Sequence, residues 1–212
     1  MKSVIIGAHL LRDDVEPLAA SLAVGDLFLS AIEVADDQPL GDRELLLRVA
    51  DVRRKLLDVA TFVAIRYGFS VTGGSDAFVK TAPHHERWKR LLTAHREHVE
   101  MTLKVATSTP VTRPDRRDFT SGAEYLRALH KSVSAANVDP QFRAAADEAL
   151  VPLAVGHRWM HRDEKSVELA LLVARHDIEN VRAAGESLRA TNVPFLLSGP
   201  WPLEVFADDD HQ

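Results

Sequence analysis

Ten histidines in 212 residues invite a metal or catalytic reading. The tightest group is HRWMHRDE, where His157 and His161 stand four apart. Were that segment helical, the two rings would share a face, and Asp163 or Glu164 could complete a zinc site. The result would be a small metal-dependent hydrolase using His157, His161 and Glu164. The pattern is not H-E-x-x-H, however, and no glutamate lies between the histidines to act as general base. The hydrolase therefore stands only as the alternative. Other catalytic signatures are missing: VTGGSD has glycines but no lysine after them, and neither the dinucleotide G-x-G-x-x-G nor the nucleophile-elbow G-x-S-x-G occurs. With no cysteine, disulfides, thiolate zinc sites and thiol nucleophiles are excluded. A Ser-His-Asp set could be assembled from scattered residues, but no spacing points to one. These residues lead us to expect a binding or assembly protein, not an enzyme, with no cofactor and no metal.

The most basic stretch, HHERWKRLLTAHREH, gathers His84, His85, Arg87, Lys89, Arg90, His95, Arg96 and His98. Nucleic-acid binding would want aromatics interleaved with the charge, yet Trp88 is alone and shares a stripe with Leu91 and Leu92. A solvated helix face is the simpler reading. The chain as a whole carries 26 Lys and Arg against 31 Asp and Glu, a formal charge of -5, which argues against nucleic acid and against a polybasic membrane clamp. Any ligand of the basic stretch would more naturally be an acidic protein segment. MKSVIIGAHLLRDD has too few apolar residues for a signal sequence, and no run approaches a membrane span. The expected location is the cytoplasm.

The elements that must position these residues alternate between strands and helices. KSVIIGAHL reads as a buried strand, RDDVEPLAASLA as a helix, and Asp26 to Ala35 as a second strand. From Asp42, the apolar residues Leu45, Val49, Val52, Leu56, Val59 and Val63 form one stripe of a helix of about five turns. That stripe suits packing on a sheet better than a coiled-coil seam, although self-association through it is a further reading. Phe62 to Val71 reads as a strand closing the first lobe, with a helical region interrupted by Pro83 after it. HVEMTLKVAT alternates cleanly, so one sheet face is covered. Two helices split at Asn137 to Pro140 follow, the first capped by Ser121 three residues before Glu124. A buried strand (SVELALLVAR), a helix capped by Asp177 and a final strand (FLLSGPWPLEVFA) come next, with DDDHQ as a frayed tail. The expected fold is α+β: two small α+β domains, residues 1–75 and 76–212, at least one with a ferredoxin-like sheet-and-helix arrangement.

Gly-Pro-Trp-Pro, at residues 199–202, breaks the last strand. Each proline removes an amide donor and drives the residue before it into extended conformations, as at an edge strand or a bend. Two readings follow: a bend with Trp201 as core plug, which backbone physics favours, or an exposed aromatic on an edge awaiting a partner.

The order AIRYGFSV, HVEMTLKVA, SGAEYLRA, VELALLVAR and SGPWPLEVFA resembles the GvpL/GvpF family of gas vesicle proteins, over roughly Phe62 to Ala207. The family's Pro-Leu-Arg-Phe-Gly is here Ala64 to Gly68, and its Pro-Tyr-Ser-Phe after GPWP is Leu203 to Phe206. The resemblance implies a non-enzymatic accessory protein of gas vesicle formation, built of two α+β domains, that binds the hydrophobic shell protein GvpA or other accessory proteins. Partner-binding residues implied by it are Trp201, Arg66, Glu100 and Lys104. Arg66, Glu100 and Lys104 read equally well as an internal ion-pair set.

Overall fold

The structure, a computed structural model, describes residues 1–10, 15, 18–107, 114–134, 138–161 and 165–207. The chain forms two compact units, Met1–Val99 with the segment from Pro200 onward, and Glu100–Gly199. The units divide the chain elsewhere than the 1–75 and 76–212 boundary expected from sequence. The helices of residues 74–94 belong to unit 1: they bury Ala77, Trp88 and Leu92, and His85 Nε2 lies 3.0 Å from Asp26 of an early turn.

Unit 1 is built on an antiparallel sheet of β1 (Lys2–His9), β2 (Ala20–Val24), β3 (Leu27–Val34), β4 (Val63–Ala64) and β5 (Ser70–Val71). The order is β2-β3-β1-β4, with β5 also pairing β1. β1 is central and reads as a continuous apolar run, with Val4, Ile5, Ile6 and Ala8 wholly buried. Its one buried polar side chain is satisfied. His9 Nδ1 donates to the Leu10 carbonyl at 2.6 Å, which leaves Nε2 to accept from the Ser30 hydroxyl at 2.9 Å.

Two sequence expectations fail in this unit. Ala20 to Ala23 belong to β2 and not to a helix, while Arg12 to Asp14 lie outside the described residues. The reason is the turn: Val24 pairs Leu27 across Gly25-Asp26, and Gly25 takes φ +63 at the first central position of a two-residue hairpin. Phe62 to Val71 is not one strand but β4 and β5 separated by a loop with Gly68 at φ +94.

α1 (Arg43–Val59) starts at Asp42, whose carboxylate accepts from the Glu44 amide at 3.1 Å. It buries Leu45, Val49, Val52 and Leu56, as the stripe predicts; Val63 falls beyond it, in β4. Because the stripe is spent on the protein's own core, it offers no seam to a second copy. α2 (Gly74–Thr81) and α3 (His85–Ala94) flank Pro83. The charged face of α3 includes Lys89, which forms an ion pair with Asp26 and holds that carboxyl below its usual range.

One histidine of the basic stretch gives a pH-dependent stability. His95 meets His98 edge-on at 5.3 Å, and its Nδ1 is buried without a hydrogen-bond partner among the described residues. Burial, and secondarily the neighbouring His98, hold its pKa below the ordinary histidine value. The unfolded chain therefore takes up the proton more readily. Stability is full above about pH 6.5 and is lost as the pH falls through that value toward the depressed folded pKa. Thermal midpoints measured from about pH 7.5 to 5.5 are expected to fall on acidification, and His95→Gln to flatten that slope.

Unit 2 carries the second sheet, of β6 (His98–Ala106), β7 (Gly156–His161), β8 (Ser166–Ala174) and β9 (Phe195–Trp201), in the order β7-β8-β6-β9. α4 (Gly122–Ser134) and α5 (Pro140–Leu150) connect β6 to β7, and α6 (Ile178–Ser187) connects β8 to β9. First and third strands lie side by side at the centre, the split βαβ arrangement of ferredoxin-like domains. The core joins Met101, Leu103 and Val105 of β6 to Leu169, Leu171 and Val173 of β8, and to Phe142, Leu150 and Val181 of the helices. Ser121 caps α4 as expected, its hydroxyl accepting from the Glu124 amide at 3.1 Å. Asp177 precedes α6, but its carboxylate accepts from the Asn180 side chain, not from a backbone amide.

Candidate partner-binding groove

The Gly-Pro-Trp-Pro segment shows what each of its residues is for. Gly199 takes φ +123, a conformation that L side chains rarely adopt. After Pro202 the chain resumes sheet pairing in unit 1: the Leu203 amide donates to the Phe62 carbonyl at 2.9 Å, and the Ala64 amide donates to the Leu203 carbonyl at 3.1 Å. This short parallel bridge to Val63 places Leu203 in the core with no exposed surface. The bend is real, but the plug is Leu203. Trp201 is 47% exposed.

Trp201, Pro200 and Pro202 form one wall of a groove of about 570 Å3, and α1 forms another through Leu46, Ala50 and Leu57. These helix positions are four and seven apart, so they make a second apolar stripe beside the core-facing one. Leu46 is 43% exposed and its neighbour Leu47 61%. Tyr67 closes the groove, with its hydroxyl donating to the Leu40 carbonyl. Arg53 and Glu204 supply charge. Arg53 donates to the carbonyls of Ile6 and Ile65, which fixes the guanidinium against the sheet. Burial lowers its pKa, and the Glu204 carboxylate opposes that shift. Exposed apolar surface with a large aromatic and fixed charges is of the kind found at protein-binding sites.

Comparison with known proteins decides the family. A profile for gas vesicle synthesis protein GvpL/GvpF matches residues 17–207. The chain belongs to the GvpL/GvpF family. Its fold is similar to the crystal structure of the gas vesicle protein GvpF from Anabaena sp. PCC7120, with a TM-score of 0.68 at 12% identity over 99% of both chains. GvpF from Microcystis aeruginosa is as similar, with a TM-score of 0.68 at 11% identity over 98% of this chain and 99% of that one. At such identities the likeness is one of fold. Among curated proteins none matches.

Within this GvpL/GvpF chain, the four residues singled out from sequence are divided between the two units. Trp201 lines the groove, and Arg66 is exposed on a second cavity of unit 1. In unit 2, Glu100 is only 2% exposed. Lys104 stands 3.6 Å from Glu168 of β8, an ion pair within the sheet. Leu46, Leu57, Tyr67 and Glu204, which line the groove, were not anticipated. Leucines surplus to the core stripe of α1 were the available signal.

The zinc reading required a helix at residues 157–161, and that segment is β7. Four residues of strand place the Cα atoms of His157 and His161 about 13 Å apart, too far for one ion. Asp163 and Glu164 lie outside the described residues. Among the described residues no three of His, Asp and Glu gather as metal ligands. The segment instead serves packing: Trp159 Nε1 donates to Asp147 at 2.8 Å, and Arg143 stacks 5.1 Å from the Trp159 ring centroid. No described helix is long and apolar enough to cross a membrane.

Proposed function

We propose that this protein is a non-enzymatic accessory factor of gas vesicle formation that binds the hydrophobic shell protein GvpA through the Trp201 groove before the shell polymerises. The exposure of Trp201 beside an apolar helix stripe carries the reading. A very hydrophobic subunit must be kept from indiscriminate association, and an apolar groove holding a large aromatic answers that need. Membership of the GvpL/GvpF family supports it. Buried aromatic anchors dominate such contacts, and their truncation commonly costs 2 kcal/mol or more in binding, roughly 30-fold or greater.

Co-purification of tagged protein with co-expressed GvpA tests the proposal. The parent is expected to capture GvpA, and Trp201→Ala, shown by circular dichroism to be folded, to lose the capture. A parent that captures none, or a variant that captures as well as the parent, overturns it.

A further inference from the structure

A second cavity of unit 1, of about 540 Å3, adjoins the groove and shares Arg53, Ala64 and Glu204 with it. Its chemistry differs from that of the groove. Four permanent cations, Arg53, Arg66, Lys80 and Arg87, line it against the single carboxylate of Glu204, in a chain whose net charge is -5. Lys80 is committed in part, with Nζ 3.0 Å from Asp76 and a hydrogen bond to the Ser70 carbonyl. Arg66 is exposed and makes no ion pair among the described residues. Arg53 Nε is buried with no hydrogen-bond partner among the described residues, while its terminal nitrogen donates to the Ile6 and Ile65 carbonyls. The remaining walls are mostly apolar, Val63, Ile65, Phe69 and Trp88 among them, with the His84 ring stacked on Trp88 at 5.2 Å.

We propose that this cavity binds the carboxylates of an acidic peptide segment whose apolar side chains lie against Trp88 and Phe69. Guanidinium forks match carboxylates, and Arg66, with no ion pair among the described residues, selects for negative charge. The size argues for a peptide over a lone inorganic ion, because the volume is that of a site for a ligand of many atoms and half the lining has no use for a bare oxyanion. The inference does not rest on GvpA capture, and loss of that capture would leave it standing.

The test is a titration of the full chain with acetyl-Glu-Leu-Glu-Leu-amide, followed through the tryptophan indole signals in NMR spectra. Its Gln-for-Glu counterpart and inorganic phosphate at matched ionic strength serve as comparisons. The acidic peptide is expected to shift the Trp88 indole saturably, and the neutral peptide not to. Arg66→Glu reverses one uncommitted surface charge, so the fold should persist, and it is expected to weaken binding about tenfold or more. Equal binding of the neutral peptide overturns the proposal, as does an undiminished affinity in folded Arg66→Glu. Phosphate binding as tightly as the peptide would make the site one for a free oxyanion and would overturn the peptide assignment.

Discussion

Leu203→Ala is expected to lower the free energy of unfolding by about 3 kcal/mol, while Trp201→Ala, two residues away, lowers it by less than about 1 kcal/mol. The contrast inverts what residue size alone would suggest. Leu203 has no exposed surface and sits where the returning chain bridges Val63, so removing its side chain leaves a cavity among Phe62, Val63 and their neighbours. The two backbone hydrogen bonds it makes are kept by alanine, so the loss is one of packing. Trp201 keeps nearly half its surface in water and gives up correspondingly little. Denaturant unfolding of both variants decides the matter: equal destabilisation would make Trp201 a core residue and remove the basis for a groove with an exposed anchor.

Why the sequence favoured the other assignment is instructive. Pro200 and Pro202 announce a bend, and an apolar run around a tryptophan suggests that the tryptophan is what gets buried. Backbone pairing decides otherwise, because the residue that regains an amide donor after Pro202 is Leu203, and it is this residue that rejoins the sheet. Elsewhere the strongly periodic segments were legible. The α1 stripe, the alternation of β6 and the apolar run of β8 are found where expected: the first two follow from burying one face, although Glu100 of β6 is buried too, and the run of β8 follows from burying both. Short-range turn chemistry was under-read. Gly25-Asp26 between two apolar runs is a hairpin signal, and it outweighs the helical look of the alanines and leucines before it. Gly68 likewise marks the break that divides Phe62 to Val71 into two short strands. His157 and His161 show the same limit from the side of chemistry: spacing by four means metal geometry only on a helix, and β-branched or aromatic content is a weak guide in so short a segment. The groove and the cationic cavity both draw on residues far apart in sequence, joined by the return of the chain from unit 2, so apart from the surplus leucines of α1 no local pattern points to them.

Gly199→Ala is expected to destabilise the protein by about 3 kcal/mol, combining positive-φ strain with crowding against fixed backbone. At φ +123 any side chain is strained. An added Cβ would lie 2.9 Å from the Glu100 carbonyl oxygen and 3.2 Å from Met101 Cα. Neither atom can move without shifting β6, although the Met101 sulfur, at 2.7 Å, could swing aside. Gly185→Ala provides the comparison that isolates the cause. There the clash is with Leu197 Cδ2 at 2.4 Å, the far end of a side chain with other rotamers, and the position lies within α6, where alanine recovers up to about 1 kcal/mol of helix propensity. Gly185→Ala should therefore cost less than about half as much as Gly199→Ala. Denaturant unfolding that ranked the two equally, or that found Gly199→Ala within about 1 kcal/mol of the parent, would mean that β6 and β9 yield at this point. In that case the glycine would not be what fixes the direction in which the chain enters Pro200, Trp201 and Pro202.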